Sequence, residues 1–256
     1  MVNNPTGEGP PGVSSDVSAG PETFAPTARG AMLYDASRCG QPDERIFARE
    51  HWRARGALQE AAAGRGTVAF IGDGERRWVL RRYRRGGLVA QLLADRYLWT
   101  GTERTRAFRE WRLLRELREA GLPVPLPVAA RYERRGLFYR ADLLTEELPT
   151  RRTLTLALQQ GPLAAAQWRA VGACVGRLHA HGVHHADLNA HNRLLGDDDT
   201  VYVLDFDRGR IRPRGAWEQA VLARLQRSLR KVTAGLPGDR WGDAAWQMLR
   251  HGLEGA

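Results

Sequence analysis

The stretch from His185 to Asp207 constrains this chain more than any other. It reads His185-Ala186-Asp187-Leu188-Asn189-Ala190-His191-Asn192-Arg193-Leu194-Leu195, a turn at Gly196-Asp197-Asp198-Asp199, then Val201-Tyr202-Val203-Leu204-Asp205-Phe206-Asp207. Two short apolar strands joined by a Gly/Asp turn form a hairpin and bring their outer ends together. Asn192 precedes the first strand and Asp205 ends the second, so the spacing predicts that an amide and a carboxylate meet at the hairpin's open end. Asp187 stands on the far side of the same loop.

The chemistry of that set is specific. An amide and a carboxylate oxygen suit Mg²⁺, a hard cation that keeps waters and shares the phosphate oxygens of a nucleotide. A loop carboxylate such as Asp187 can accept the proton of an incoming hydroxyl. Phosphoryl transfer asks for this division of labour, since it needs positioning and charge neutralisation more than covalent chemistry. The H-x-D-x-x-x-x-N loop and the D-F-D are strong together and weak apart. Two plainer readings stand beside this one: Asp187 as a loop brace and Asp205 as an ordinary strand end. A zinc site of His184, His185, Asp187 and His191 is a third, but four ligands crowded into one short loop fit zinc poorly. His185 is expected to brace the loop against the metal-binding strand.

Upstream, such a site needs a cation for the nucleotide phosphates, an acid to orient it and a glycine loop over the nucleotide. The only lysine is Lys231, so the strand cation has to be an arginine. Arg81, after Trp78-Val79-Leu80, sits where the strand pattern puts it, and Arg82 points to the other sheet face. Glu110 is the expected ion-pair partner, with a solvated surface carboxylate as the alternative. Gly64 and Gly66 would let the backbone approach phosphates, although Gly-x-Gly is a weak signal.

Hydrophobic pattern divides the chain. Residues 1 to about 30, rich in Gly, Pro, Ser and Thr, are expected to form a disordered tail. Helical character is predicted between Phe47 and Ala63, then a hairpin from Gly64–Ile71 and Arg77–Tyr83 around Gly72-Asp73-Gly74. Phe108, Trp111, Leu114 and Leu117 mark an amphipathic helix over Thr105–Ala120, ended by Gly121 and the following prolines. Strands are expected at Val128–Tyr132 and Leu137–Leu144, then a polar connector, then a helix over Ala164–Ala180. The result is a two-lobed α+β fold: an antiparallel sheet with one helix over residues 31–148, and a short, mainly helical lobe over 149–256.

The net charge of +10 calls for an anionic partner or a strongly hydrated surface, although arginine-rich composition also follows from a GC-rich genome. No apolar run approaches the roughly 20 residues that span a bilayer, and no secretory signal is recognised. Cys39 and Cys174 do not suggest a disulfide framework. A cytoplasmic location is expected.

The chain resembles the 3-deoxy-D-manno-octulosonic acid (Kdo) kinase family, in the lipopolysaccharide-core branch of the protein-kinase-like superfamily. The resemblance rests on Gly64-Arg65-Gly66-Thr67, Leu80-Arg81-Arg82-Tyr83-Arg84-Arg85-Gly86-Gly87-Leu88, Thr105-Arg106 with Glu110, Gly121-Leu122-Pro123-Val124-Pro125, Asp187-Leu188-Asn189-Ala190-His191-Asn192 and Leu204-Asp205-Phe206-Asp207. It covers about residues 40 to 235. It implies a bilobal kinase-like fold and ATP with Mg²⁺, with Asp187 as base and Asn192 and Asp205 as metal ligands. It also implies transfer of phosphate to the 4-hydroxyl of Kdo on a lipid A precursor, at the cytoplasmic face of a Gram-negative inner membrane. Arg193 and Arg208 depart from the family pattern, at positions expected to lie outside the chemistry. The short chain after Asp207 argues against a peptide acceptor. Arg81, Arg82, Arg84 and Arg85 are read as a patch for acceptor anions. The segment from Trp217 to Lys231 is read as a basic amphipathic helix, its apolar stripe packed on the core and its basic face available to anionic lipid. The alternatives are a kinase for another core sugar such as heptose, or a catalytically silent kinase-like module. No nucleic-acid partner is expected.

Overall fold

A computed structural model describes residues 20–63, 66–84 and 95–256. In chain order the amino-terminal part contains β1 (Glu22–Thr27), β2 (Gly30–Asp35), α1 (Ala36–Cys39), α2 (Arg49–Ala54), β3 (Leu58–Ala63), β4 (Gly66–Asp73) and β5 (Arg76–Arg82). There follow β6 (Tyr97–Leu98), α3 (Arg106–Glu119), β7 (Pro127–Arg135) and β8 (Phe138–Glu146). The strands form one antiparallel sheet in the order β1-β2-β7-β8-β5-β4-β3, with β6 also on β8.

Alternation along the strands separates two apolar layers. Met32, Tyr34, Ala69, Ile71, Trp78 and Leu80 face Ile46, Phe47 and Trp52, which close one side. Ala31, Leu33, Ala130, Tyr132, Ala141 and Leu143 face the other side and meet Phe108, Trp111, Leu114 and Leu117 of α3. Arg81 follows Leu80 and is therefore on the α3 side.

The rest of the chain contains α4 (Leu154–Gln160), α5 (Ala165–Ala180), β9 (Val183–His184), β10 (Arg193–Leu195), β11 (Val201–Val203), β12 (Arg210–Ile211), α6 (Trp217–Thr233) and α7 (Asp243–Glu254). Its core is continuous with the α3 layer, through Leu113, Leu122, Val124, Val203 and Phe206 among others. The apolar stripe of α6, Val221, Leu222, Leu225 and Leu229, is buried in that core.

Two expectations are corrected. The tail does not extend to residue 30, because Glu22–Thr27 pairs along its length with Gly30–Asp35 and Gly20 donates to buried Asp35 at 2.7 Å. Residues 1–19 lie outside the described residues. The helical stretch before the hairpin stops at Ala54: Gly56 has φ +67, and Leu58–Ala63 joins the sheet beside β4. The alanine-rich sequence there has helical propensity, and the ladder bonds of β4 override it.

Candidate active site

The loop between β9 and β10 is held from several sides. Asn189 caps the turn Ala190–Asn192, its Oδ1 accepting from the backbone N–H of His191 at 2.9 Å and of Asn192 at 3.1 Å. The side-chain amides of Asn189 and Asn192 both donate to the Asp187 carbonyl at 3.1 Å. His185, 2% exposed, makes the brace the sequence suggested: Nε2 donates to the Leu204 carbonyl at 2.9 Å and Nδ1 accepts from the Asp187 N–H at 3.3 Å. Its ring also meets Phe206 edge-on. With both nitrogens committed to backbone, His185 has none for zinc. Burial pushes its pKa down to about 4, with the Leu204 carbonyl opposing, so the imidazole is neutral near pH 7.

The hairpin forms as expected, with Arg193 opposite Val203 and Leu195 opposite Val201. The Leu204 N–H donates to the Asn192 carbonyl at 2.9 Å, which sets Asn192 and Asp205 at the same open end. Because the Asn192 Nδ2 is engaged with Asp187, its Oδ1 is the group left for a cation. Asp205 has φ +64, left-handed backbone that Asp tolerates better than most residues. Burial raises its pKa, but the charge and hydrogen bond of Arg81 outweigh that and hold it below the ordinary carboxylate range. An ionised carboxylate and an amide oxygen at one hairpin end are a donor pair that Mg²⁺ accepts.

Arg81 reaches two acids at once. One nitrogen lies 2.5 Å from Glu110 Oε1, an ion pair not aligned as a hydrogen bond, and the other donates to Asp205 Oδ1 at 2.5 Å. Glu110 is no surface carboxylate: it is 3% exposed, accepts from the Tyr83 hydroxyl at 2.6 Å through Oε2 and from the Phe206 N–H at 3.0 Å through Oε1. One carboxylate thus ties β5, α3 and the D-F-D turn together. Burial raises the Glu110 pKa and the Arg81 charge only partly offsets it, while Arg81 remains protonated beside its two acids.

Asp187 carries a partner the sequence reading had assigned to lipid. Arg224 of α6 donates to Asp187 Oδ1 through Nη2 at 2.6 Å and Nε at 3.0 Å. A cavity opens beside this pair, lined by Thr155, His191, Arg227 and Lys231 among others.

The remaining expected residues are placed as follows. Gly64 lies outside the described residues, and Gly66 opens β4 opposite Ala63. Within the expected four-arginine patch, Arg81 and Arg82 do not share one surface. Arg81 is turned to the cleft, Arg82 pairs with Asp142 at 2.9 Å, and Arg85 lies outside the described residues. The alternation of a strand sends neighbouring side chains apart, and each of the first two finds its own acid. Arg193 does bear on the site: it is fully buried, and its Nη1 donates to the Asn189 carbonyl at 2.9 Å. Tyr83, Arg224 and the Arg106–Asp207 ion pair were not anticipated. Tyr83 was legible as the residue two beyond Arg81 on the same strand face. Arg224 was visible only as one charge on a basic helix.

The sequence model of the lipopolysaccharide kinase (Kdo/WaaP) family matches residues 49–252. Curated relatives named 3-deoxy-D-manno-octulosonic acid kinase include one from Stenotrophomonas maltophilia, 45% identical over 79% of this chain and 81% of its own. Another, from Xylella fastidiosa, is 42% identical over 85% of this chain and 86% of its own. The Vibrio cholerae protein is 41% identical over 78% of this chain and 83% of its own. With the α+β kinase-like fold, the hairpin and the Arg81–Glu110 pair, these matches place the chain in the lipopolysaccharide kinase (Kdo/WaaP) family.

Proposed function

We propose that the chain transfers the γ-phosphate of ATP to the 4-hydroxyl of a Kdo residue on a lipid A precursor, at the cytoplasmic face of the inner membrane. The observation that carries this reading is the meeting of Arg81, Glu110 and Asp205 at the open end of the hairpin whose loop bears Asp187. Asp187 accepts the proton as the acceptor oxygen bonds to the γ-phosphorus and the bond to the β,γ-bridging oxygen breaks, with ADP leaving. Arg81, kept charged and aimed by Glu110, clamps phosphate oxygens. Asn192 and Asp205 would hold Mg²⁺, which supplies neutralisation of phosphate charge. Gly64 and Gly66 stand as proposed backbone contacts to the nucleotide.

The acceptor follows from the relatives, which bear the name of Kdo kinases at 41% to 45% identity. Among the described residues no helix is long and apolar enough to cross a membrane, so contact with the bilayer is assigned to surface charge. Incubation with ATP, Mg²⁺ and a Kdo-bearing lipid A precursor, with mass spectrometry and NMR of the product, tests the reading. One added phosphate on the Kdo 4-hydroxyl is the expected result. Phosphate only on a heptose-bearing acceptor would replace Kdo with another core sugar.

A further inference from the structure

The cavity beside Asp187 has a feature that hydroxyl activation does not require. Its α6 wall presents Arg224, Arg227, Ser228 and Lys231, spaced i, i+3, i+4 and i+7, hence one helix face. Arg224 is on Asp187, and the Ser228 hydroxyl accepts from the Ala190 N–H at 3.1 Å. Arg227 and Lys231 have no acidic partner among the described residues, and both are exposed. Lys231 is the only lysine in the chain. Facing them, His191 is engaged with Thr155 at 3.1 Å, and the only carboxylate lining the cavity is Asp187, already matched by Arg224. The cavity therefore carries surplus positive charge next to the base.

Building on the sugar-acid acceptor proposed above, we infer that Arg227 and Lys231 form the subsite for the acceptor's carboxylate. A sugar acid brings one anionic group and several hydroxyls to the site. Anchoring the anion on two cations of a rigid helix fixes which hydroxyl meets Asp187. Ser228 pins the catalytic loop to the same helix, so anchor and base move as one body. The half-exposed Arg224–Asp187 pair is a contact that an arriving anion can rearrange.

The test compares kcat/KM for three detergent-dispersed Kdo-bearing acceptors: the free acid, its methyl ester, and the free acid stripped of lipid phosphates. The full chain and Arg227→Ala/Lys231→Ala are assayed, with thermal melting to verify folding and Lys231→Arg to test charge rescue. For the unaltered chain, the ester is expected to lose roughly 10- to 100-fold, the scale of one or two charge-assisted hydrogen bonds. In the double variant the acid and ester should become equally poor, through the acceptor KM and not the ATP KM, and Lys231→Arg should retain the preference. A double variant that discriminates acid from ester as well as the unaltered chain overturns the subsite. So does a loss in the double variant that is confined to the phosphate-bearing acceptors and absent for the dephosphorylated acid, or a variant that loses only binding to anionic phosphatidylglycerol vesicles. If the unaltered chain phosphorylates no Kdo acceptor, the functional reading falls, and the subsite with it. If it phosphorylates acid and ester alike, only the subsite falls.

Discussion

At the residue scale, the site is organised by side chains that satisfy more than one neighbour. Glu110 accepts from Tyr83 and from the Phe206 backbone while facing Arg81, so a single carboxylate joins strand, helix and the Asp205-Phe206-Asp207 turn. Arg81→Ala removes the cation from that set, and the KM for ATP is expected to rise about tenfold or more, with the acceptor KM much less affected. Steady-state kinetics with each substrate varied in turn check this; an unchanged KM and rate for ATP would remove Arg81 from the phosphate clamp. The buried imidazoles carry a pH signature. Burial pushes His179 and His185 down to about 4, against 6.5 unfolded, so the unfolded chain binds more protons between those values. Their stabilising contribution is complete above about pH 6.5 and is lost as pH falls towards 4. Each costs about 1.4 kcal/mol per pH unit once well inside that window. Urea unfolding between pH 7 and 5 should show a declining midpoint, with a shallower decline in His179→Gln; a variant whose profile falls as steeply as the parent's would contradict the neutral, buried assignment of His179.

At the element scale, the hairpin was legible because its two strands, its Gly/Asp turn and its polar ends lie within one local stretch. Glu110 was half legible: it falls at i+3 from Ala107 and i−4 from Leu114, inside the buried stripe of α3, although a glutamate by itself reads as solvated. The alanines of β3 and the first hairpin, β1–β2, were hidden, because strand pairing with distant residues decided them. The crossing of α5 and α7 was also invisible, since it depends on where two glycines meet other backbone. A Cβ on Gly172 would overlap the Leu249 carbonyl, and one on Gly252 would overlap the Arg169 carbonyl. Gly→Ala within a helix ordinarily gains up to about 1 kcal/mol. At Gly172 the sign should reverse, with Gly172→Ala lowering the unfolding free energy by about 1–3 kcal/mol, the scale of overpacking a tight core. A variant as stable as the parent in denaturant titration would mean that the helices can separate at no cost.

At the scale of the whole molecule, sheet and helices share one apolar layer around α3, and the groups of the candidate site gather beside that layer. The sheet supplies Arg81, α3 supplies Glu110, the hairpin supplies Asn192 and Asp205, and α6 fixes the loop of Asp187 through Ser228 and Arg224. Two-lobed architecture could be read from strands preceding helices, but the convergence of four elements on one point is a long-range property that spacing alone does not encode. The basic face of α6 shows the difference most plainly. Its charges read as a surface for lipid, and one of them, Arg224, holds Asp187. The most direct measurement is phosphoryl transfer by Asp187→Ala under saturating ATP and Mg²⁺, alongside nucleotide binding by the same protein. A base in the proposed role predicts a fall in kcat of about 10²-fold or more, with nucleotide affinity and melting temperature retained. Near-normal turnover in that variant would contradict the assignment on which this account of the site depends.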